Sequence, residues 1–251
     1  MSTAPQPAPT THAPAAPQPS IVRRVLLVGR ALIALLILAA VIGQLITSVT
    51  FWTARGDESI PLNVLNFFSF FTIESNVLAM VVLGVLVAAQ LGRPRIGRRF
   101  DVLLLSVTSY MVITGIVYNI LLRGIELPQG ATLGWSNEIL HLVAPLWMLA
   151  DWLLSSGKRD VRFRDLGIVI VFPIVWLAYT LLRGPFTMDQ ATGRDWWYPY
   201  PFLDPASHAN GYGGVAIMSV IIAVTVVLVA AGLIAYARWR RRTSGAEAVV
   251  A

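Results

Sequence analysis

Six long runs of apolar residues follow one another along the chain, separated by short polar or turn-forming connections. An α-helix rises about 1.5 Å per residue, so about 20 apolar residues cross the hydrocarbon core of a bilayer. The runs that approach or reach this length extend over about 25–50, 66–91, 102–122, 133–154, 166–182 and 214–237. The pattern therefore predicts an all-α, polytopic membrane bundle of six transmembrane helices. The fifth run is the shortest and contains Pro173, which predicts a kink in that helix.

The composition supports a membrane location, because 56% of the 251 residues are hydrophobic, only 13% are charged and the mean hydropathy is +0.69. Soluble domains carry about 25% charged residues. The net charge of +6 does not indicate a nucleic-acid partner, since the basic residues lie in short clusters between the apolar runs. The sequence contains no cysteine, which excludes disulfides, thiolate metal sites and a cysteine nucleophile.

The basic residues predict the orientation of the six helices. Fourteen of them fall on one side if the helices alternate in direction, namely Arg23, Arg24, Arg93, Arg95, Arg98, Arg99, Lys158, Arg159, Arg162, Arg164, Arg238, Arg240, Arg241 and Arg242. The opposite connections hold only Arg55, Arg123, Arg183 and Arg194. Because cytoplasmic loops are enriched in Lys and Arg, we expect both termini in the cytoplasm and a location in the plasma membrane. Eighteen arginines against one lysine favour a bacterium with a high-GC genome.

The two ends of the chain lack apolar runs and predict a simple domain organisation. Residues 1–22 form a Pro/Ala-rich stretch that cannot bury enough apolar surface to fold, so we expect a disordered tail. Residues 23–242 are expected to form the six-helix transmembrane domain. Residues 243–251 are expected to form a disordered C-terminal tail.

Polar residues interrupt the second, third and fourth runs, where an ionisable group costs roughly 2.5–3.5 kcal/mol on insertion scales. Once the helices are oriented by their arginines, these residues fall in the outer half of the bundle. Thr72 and His141 both lie on the order of 10 Å below the outer boundary. The cluster comprises Thr72, Glu74, Ser75, Asn76, Tyr118, Asn119, Asn137, Glu138 and His141. It predicts an internal polar cavity or a dense hydrogen-bond network.

Members of this cluster also have purely structural interpretations. Ser75 can bond to a carbonyl of its own helix, and Asn76 and Asn119 can join neighbouring helices. His141 can be a structural histidine. Glu138 lies near enough to the outer interface to be hydrated.

Two charged residues near the inner side of the bundle have structural interpretations only. Asp151 is expected to pair with Arg162, Arg164 or Arg99. Arg30, one turn into the first run, is expected to extend its side chain toward the inner interface.

The connection over residues 183–213 is the longest in the chain and is rich in aromatic residues. Loops of this length are usually functional lids or disordered segments. The aromatic residues Trp196, Trp197, Tyr198, Tyr200 and Phe202 favour a packed cap at the interface. A lid over the polar cavity and a simple interfacial anchor are both compatible with the pattern.

Three segments carry a resemblance to known families: FFTIESNVL at 70–78, EILHLVAPLWMLADW at 138–152 and YPYPFLDP at 198–205. With the six-span layout, they resemble the bacterial six-pass membrane proteins of the Pr-six-Pr family. The Thr of the first segment and the His-x-x-x-Pro of the second are similar to the androgen-induced, FAR-type family of eukaryotic six-pass lipid hydrolases. Those enzymes cleave fatty acid esters of hydroxy fatty acids with a membrane-embedded Thr and His. The resemblance implies that Thr72 is the nucleophile and His141 its base.

The chemistry of the cluster agrees with an intramembrane hydrolase of lipid esters. An imidazole can remove the proton of a Thr hydroxyl, and Asn76, Asn119 or Tyr118 could donate hydrogen bonds to the oxyanion. Glu138, one turn before His141, could orient the ring or hold a proton. The predicted partners are membrane lipids and a lipid or small-molecule substrate, without nucleic acid and with the oligomeric state open.

A different class of function is also compatible with the sequence. Glu74, Glu138 and His141 could be the protonatable groups of a transporter, a proton-coupled carrier or a sensor with an outward-facing cavity. A structural partner of another membrane complex is a third possibility. We expect no cofactor and no metal, because the histidines and carboxylates lack metal-ligand spacing.

Overall fold

The computed structural model describes residues 21–92, 96–125, 130–155 and 159–250, without the side chains of residues 244–250. Within these residues, six helical segments are long and apolar enough to cross a membrane. They are Ile21–Arg55, Phe71–Gln90, Arg98–Leu122, Gly134–Ser155, Phe163–Phe186 and Tyr212–Thr243. This confirms the predicted all-α membrane bundle. The predicted N-terminal tail lies outside the described residues except for the last two, which open the first helix.

Several of the six segments are built from shorter helices. The α-helices are α1 (Ile21–Arg55), α2 (Ile60–Phe68), α3 (Phe71–Gln90), α4 (Arg98–Val117), α5 (Gly134–Glu138), α6 (Ala144–Ser155), α7 (Leu166–Val169), α8 (Val171–Arg183) and α9 (Tyr212–Val250). A wider, π-helical turn at Tyr118–Leu122 continues α4. A second π-helical turn, at Ile139–Val143, joins α5 to α6. The helix α9 runs through Val250, so the segment from residue 243, which we expected to be a disordered tail, continues that helix up to residue 250.

Polar contacts show which helix ends lie together. Arg23, at the start of α1, donates to the Gln90 carbonyl at the end of α3. Arg241, near the end of α9, donates to the Arg159 carbonyl before α7. Arg159 itself pairs with Asp101, in the first turn of α4, at 3.0 Å. The start of α1 and the end of α9 therefore lie at one end of the bundle, which we call the termini end. The opposite end is called the loop end; which end faces the cytoplasm remains a prediction.

The helix α4 lies at the centre of the bundle. In its most apolar window 67% of the residues are buried, compared with 22% for the windows of the fifth and sixth segments. Most residues of the latter two segments are thus at least partly exposed, as expected of helices that face lipid. Buried side chains such as Leu104, Leu105 and Met111 make α4 the common packing surface for α3, α6, α7 and α9.

The second predicted span is broken. We expected one helix from residue 66, but α2 ends at Phe68 and α3 begins at Phe71. The break frees the Ser69 carbonyl from regular helical bonding, and the indole nitrogen of Trp176 donates to it at 3.0 Å. Inside a bilayer a peptide group without a partner costs several kcal/mol, so this bond makes the break tolerable.

The fifth span is interrupted where its proline predicted a kink. Pro173 has no N–H to bond to the Val169 carbonyl four residues earlier. The Tyr110 hydroxyl of α4 donates to that carbonyl at 2.7 Å instead. The interruption at Ile170, between α7 and α8, is thus tied to the central helix by a side chain.

The charged layer near the termini end differs from the expectation. Arg30 is 5% exposed and does not extend to the interface; it pairs with Asp151 through Nε–Oδ1 at 2.7 Å and Nη2–Oδ2 at 3.3 Å. Its third contact is the side-chain oxygen of Gln90 at 3.0 Å. Asp151 was expected to pair with Arg162, Arg164 or Arg99, which was wrong because its side chain, at 1% exposure, points into the bundle. This ion pair links α1 to α6 inside the protein.

The buried pair provides a test of the fold. Removing one partner of a buried ion pair leaves an uncompensated charge and typically costs about 3–5 kcal/mol. We expect Asp151→Asn to lower the free energy of unfolding by this amount in a denaturant titration in detergent micelles. The double variant Arg30→Met with Asp151→Leu should recover most of the loss, because it leaves no charge unpaired.

The matched control is Glu138→Gln, which breaks the exposed pair between Glu138 and Arg123 at 2.8 Å. Exposed pairs contribute less than about 1 kcal/mol. Equal losses for Asp151→Asn and Glu138→Gln would show that the Arg30–Asp151 pair does not hold α1 against α6.

Candidate functional site

The structure brings together the two residues that the sequence suggested as a nucleophile and a base. The Thr72 hydroxyl, in the first turn of α3, lies 3.2 Å from Nε2 of His141. Both side chains are buried, with 8% and 9% exposure. The two residues come from the second and fourth spans, so the contact depends on tertiary packing. A hydroxyl and an imidazole at this distance can exchange a proton.

The other ring nitrogen of His141 determines which nitrogen carries the hydrogen. Nδ1 lies 3.0 Å from the Asn137 carbonyl, which can only accept a hydrogen bond. Nδ1 is therefore the protonated nitrogen of the neutral ring, and Nε2 presents its lone pair to Thr72. The Thr72 hydroxyl donates to His141, as a nucleophile donates to its general base.

The backbone around His141 is a π-helical turn, which is frequent at functional sites. The wider turn directs the N–H of Ala144 to the Ile139 carbonyl, so that the Leu140 carbonyl loses its usual donor. Pro145 has no N–H, and the His141 carbonyl loses its donor as well. The His-x-x-x-Pro pattern thus has a structural meaning, because it leaves two carbonyls open beside the imidazole.

Two asparagine side chains fill these openings. Asn76 donates to the Leu140 carbonyl at 3.1 Å and to the Thr72 carbonyl at 2.9 Å. Asn119 donates to the His141 carbonyl at 3.3 Å and to its own helix at 2.8 Å, and its side chain is otherwise exposed. Both amide groups therefore bind backbone carbonyls. Asn76 joins the turn of Thr72 to the turn of His141.

Tyr118 and Asn137 hold the imidazole from its face and its edge. The ring of Tyr118, the first residue of the other π-helical turn, stacks on His141 with centroids 3.8 Å apart. The Asn137 side chain donates to the Tyr118 hydroxyl. Because the Asn137 backbone carbonyl also binds Nδ1, these two residues restrict both the position and the rotation of the ring.

Glu138 has a different place from the one suggested by the sequence. Its carboxylate pairs with Arg123 at 2.8 and 3.0 Å, and 42% of its side chain is exposed. This pair raises the pKa of the Arg123 guanidinium. The Asn137 carbonyl orients the ring of His141, so the proposed orienting role of Glu138 was wrong.

The remaining members of the predicted cluster lie beside Thr72 on α3. The Ser75 hydroxyl donates to the Thr72 carbonyl at 3.2 Å and lies 3.1 Å from the Thr114 hydroxyl of α4. Glu74 is half-buried, and no hydrogen bond or ion pair joins its carboxylate to a residue in the described ranges. Ser75 supports the turn of Thr72, whereas Glu74 does not contact the pair. In the described part of the chain, no group of three or more His, Asp or Glu side chains could hold a metal ion.

Tyr200, from the long loop between α8 and α9, also contacts the pair, and the sequence did not identify it as a site residue. Its hydroxyl lies 3.3 Å from the Thr72 hydroxyl and accepts a hydrogen bond from the Thr72 N–H at 3.3 Å. The ring packs against Phe70 and Phe202, and burial raises the pKa of its phenol to about 12. The motif Tyr-Pro-Tyr-Pro was the sequence feature that could have pointed to Tyr200. The aromatic residues of a loop do not by themselves show which ring is directed into the bundle.

Two cavities meet at this group of residues. A largely apolar cleft encloses about 750 Å³ not filled by atoms, including its open mouth, between α3, α4, the fifth span and α9. Its polar lining includes Thr72, Thr114, Tyr118, Tyr200 and Ser219. A second pocket of about 440 Å³, measured in the same way, lies on the side of His141 and includes Gln44, Thr132, Ser136 and Asn137. Of the residues that line these two cavities, Thr72 and Tyr200 line both.

Comparison with protein-family models, with curated proteins and with solved structures gave no match for this chain. The fold and the geometry above therefore carry the functional argument. The resemblance to the Pr-six-Pr and FAR-type families remains a prediction.

The assigned form of His141 can be tested directly, because the chain has only three histidines, His12, His141 and His208. In the ¹⁵N spectrum of histidine-labelled protein in micelles, we expect His141 to carry its hydrogen on Nδ1. His208 provides an internal contrast, since its Nε2 lies 3.1 Å from the Phe202 carbonyl and must carry the hydrogen there. The variant His141→Gln assigns the signal. A His141 ring with its hydrogen on Nε2 would contradict the assigned hydrogen bonds.

Proposed function

We propose that this membrane protein is an intramembrane hydrolase of lipid esters, with Thr72 as the nucleophile and His141 as the general base. The observation that carries the proposal is the 3.2 Å contact between the Thr72 hydroxyl and Nε2, together with the Nδ1 bond that leaves Nε2 unprotonated. A threonine hydroxyl is a weak nucleophile by itself, and an adjacent oriented base is what activates it.

The first half of the reaction transfers the acyl group to Thr72. Its oxygen forms a bond with the ester carbonyl carbon, its proton moves to Nε2 of His141, and the carbonyl π electrons move to the carbonyl oxygen. When the tetrahedral intermediate collapses, the bond to the alcohol oxygen breaks, and that oxygen takes the proton from Nε2. In the second half, water gives a proton to Nε2 of His141 as its oxygen bonds to the carbonyl carbon of acyl-Thr72. The bond between that carbon and the Thr72 oxygen then breaks, the Thr72 oxygen takes the proton back from Nε2, and the carboxylic acid leaves.

The two cavities suggest how the substrate lies. The largely apolar cleft suits a hydrocarbon acyl chain, because apolar lining gains free energy from each methylene group that it removes from water. The alcohol must receive a proton from Nε2, so it has to leave on the side of His141, where the more polar pocket lies. Thr72, which lines both cavities, is then adjacent to the ester carbonyl between them.

The location proposed for the site is the outer leaflet of the plasma membrane. The site lies toward the loop end, whereas the arginine clusters lie in connections at the termini end. By the positive-inside rule the termini end is cytoplasmic, so that the site faces the outer leaflet. Membrane lipids would supply the substrate. The resemblance of the Thr and His-x-x-x-Pro motifs to the FAR-type lipid hydrolases agrees with this proposal.

The direct test is hydrolysis of fatty acid esters by the purified full chain in micelles. We expect Thr72→Ala and His141→Ala each to lower kcat by at least about 1,000-fold, because nucleophile and base act as a unit. Thr72→Ser keeps the hydroxyl and should retain activity. Mass spectrometry after a rapid quench should detect an acyl group on Thr72.

The matched control is Thr225→Ala on α9, because the Thr225 hydroxyl is exposed and donates to the Ile221 carbonyl of its own helix. This variant should keep the activity of the unmodified protein. Undiminished hydrolysis by Thr72→Ala would reject the assignment of the nucleophile. Saturable ester binding without turnover in the unmodified chain would reject the hydrolase and favour a carrier or sensor.

A further inference from the structure

Tyr200 occupies a position that the two-residue mechanism does not use. The residue is 5% exposed, although it lies in a long loop, and its ring is enclosed by Phe70, Trp176 and Phe202. The loop is anchored nearby, since the Trp197 N–H donates to the Gly184 carbonyl at 3.0 Å. The phenol ring of Tyr200 is thus held inside the bundle, with its hydroxyl in contact with Thr72.

The hydrogen bonds around Thr72 determine where the Tyr200 hydrogen points. Thr72 is the second residue of α3, so its N–H has no acceptor within the helix and donates to the Tyr200 oxygen at 3.3 Å. The Thr72 hydroxyl donates to His141. The remaining contact, between the Tyr200 and Thr72 hydroxyls at 3.3 Å, must then use the Tyr200 hydrogen. The phenol directs its donor at the oxygen that would attack the substrate.

The other groups considered for oxyanion binding already have backbone or side-chain partners. The amide groups of Asn76 and Asn119 donate to carbonyls of the turns that hold Thr72 and His141. The Tyr118 hydroxyl accepts from Asn137, and Tyr118 lines the apolar cleft but not the pocket on the side of His141. Tyr200 lines both cavities, so its hydroxyl is at the boundary where an ester carbonyl would lie.

We propose that Tyr200 is a catalytic residue that donates a hydrogen bond to the oxyanion, with the Thr72 N–H as the second donor. This inference rests on the proposed hydrolase function. As the Thr72 oxygen bonds to the carbonyl carbon, the carbonyl oxygen gains the π electron pair. This carbonyl oxygen then replaces the Tyr200 oxygen as the acceptor of the hydrogen bond from the Thr72 N–H. The Tyr200 O–H turns from the Thr72 oxygen, which is now bonded to carbon, to the new negative charge.

Tyr200 acts as a hydrogen-bond donor and keeps its proton throughout. Burial raises the pKa of its phenol to about 12, so the neutral form is the one present. The only proton that moves in the first half of the reaction passes from Thr72 through His141 to the leaving alcohol. The same two donors serve the second half, when water adds to the acyl-Thr72 ester and a new oxyanion forms.

The test compares an ester with its thiono analogue, in which sulfur replaces the carbonyl oxygen. Sulfur accepts hydrogen bonds weakly, so an enzyme that stabilises an oxyanion prefers the oxygen ester. The substrates are the p-nitrophenyl ester of octanoic acid and its thiono analogue, with purified full chain in micelles. For Tyr200→Phe we expect kcat on the oxygen ester to fall about 100- to 1,000-fold, with little change in KM. The preference for oxygen over sulfur should fall by a similar factor.

The matched control is Tyr198→Phe. Tyr198 lies on the same loop and is equally buried, but its hydroxyl bonds to Tyr212 at 3.0 Å, away from Thr72. This variant should keep both kcat and the preference for oxygen. Thermal unfolding of both variants checks that the loop still folds. If Tyr200→Phe does not fold, replacement of Tyr200 by 3-fluorotyrosine keeps the hydroxyl and makes it a stronger hydrogen-bond donor, so the preference for oxygen should rise. An unchanged preference would overturn the oxyanion assignment.

The outcomes separate this inference from the function on which it rests. If Tyr200→Phe loses equal activity on the oxygen ester and on the thiono ester, Tyr200 has a positioning role and the oxyanion assignment is overturned. Full activity of Tyr200→Phe would overturn it as well, with the hydrolase function intact. If the unmodified chain hydrolyses neither ester nor any other lipid ester, the proposed function fails and the role of Tyr200 fails with it.

Discussion

The satisfaction of backbone groups in apolar surroundings is the constraint on which the rest of this structure depends. A regular helix satisfies its own peptide groups, and each break in a helix frees carbonyls that water cannot reach. This bundle has breaks after α2 and before α8, and a π-helical turn before α6. Each is accompanied by a side chain from another helix that donates to a freed carbonyl. Those donors are Trp176, Tyr110, Asn76 and Asn119.

These bonds explain why the polar residues gather at one level of the bundle. Much of the polar cluster serves the backbone, and the irregular backbone in turn positions Thr72 and His141. The break after α2 places Thr72 in the first turn of a new helix, where its N–H is available. The π-helical turn places His141 with one nitrogen against a carbonyl and the other toward Thr72. The site is thus a consequence of where the helices are irregular.

The sequence predicted the spans well because hydropathy and length report directly on burial in lipid. It also identified Thr72 and His141, through their depth in the membrane and through the family resemblance of their motifs. It did not predict the break at residues 69–70, because nothing in a run of apolar residues marks the end of one helix and the start of another. Pro173 was an explicit signal, and the interruption of the fifth span appeared at the expected place.

The partners of charged and aromatic residues were harder to predict. Arg30 and Asp151 are 121 positions apart in the chain, and only the packing of α1 against α6 brings them together. Glu138 lies one turn from His141, yet its side chain points outward to Arg123. Tyr198 and Tyr200 are each followed by a proline, but the Tyr200 hydroxyl contacts Thr72 whereas the Tyr198 hydroxyl contacts Tyr212. Helical spacing predicts which residues share one face of a helix. The contacts above depend instead on how whole helices are rotated in the bundle and on the path of a loop.

Asn76 shows how the structural and reactive parts of the site are connected. It is fully buried, and a single amide nitrogen donates to the Thr72 carbonyl and to the Leu140 carbonyl. Leu140 immediately precedes His141, so this amide links the turn that carries Thr72 to the turn that carries His141. A hydroxyl and an imidazole can exchange a proton only within hydrogen-bond reach, about 2.6–3.2 Å. Asn76 therefore fixes the distance between the Thr72 hydroxyl and the His141 ring, and the polar atoms that satisfy the backbone are also those that hold these two side chains together.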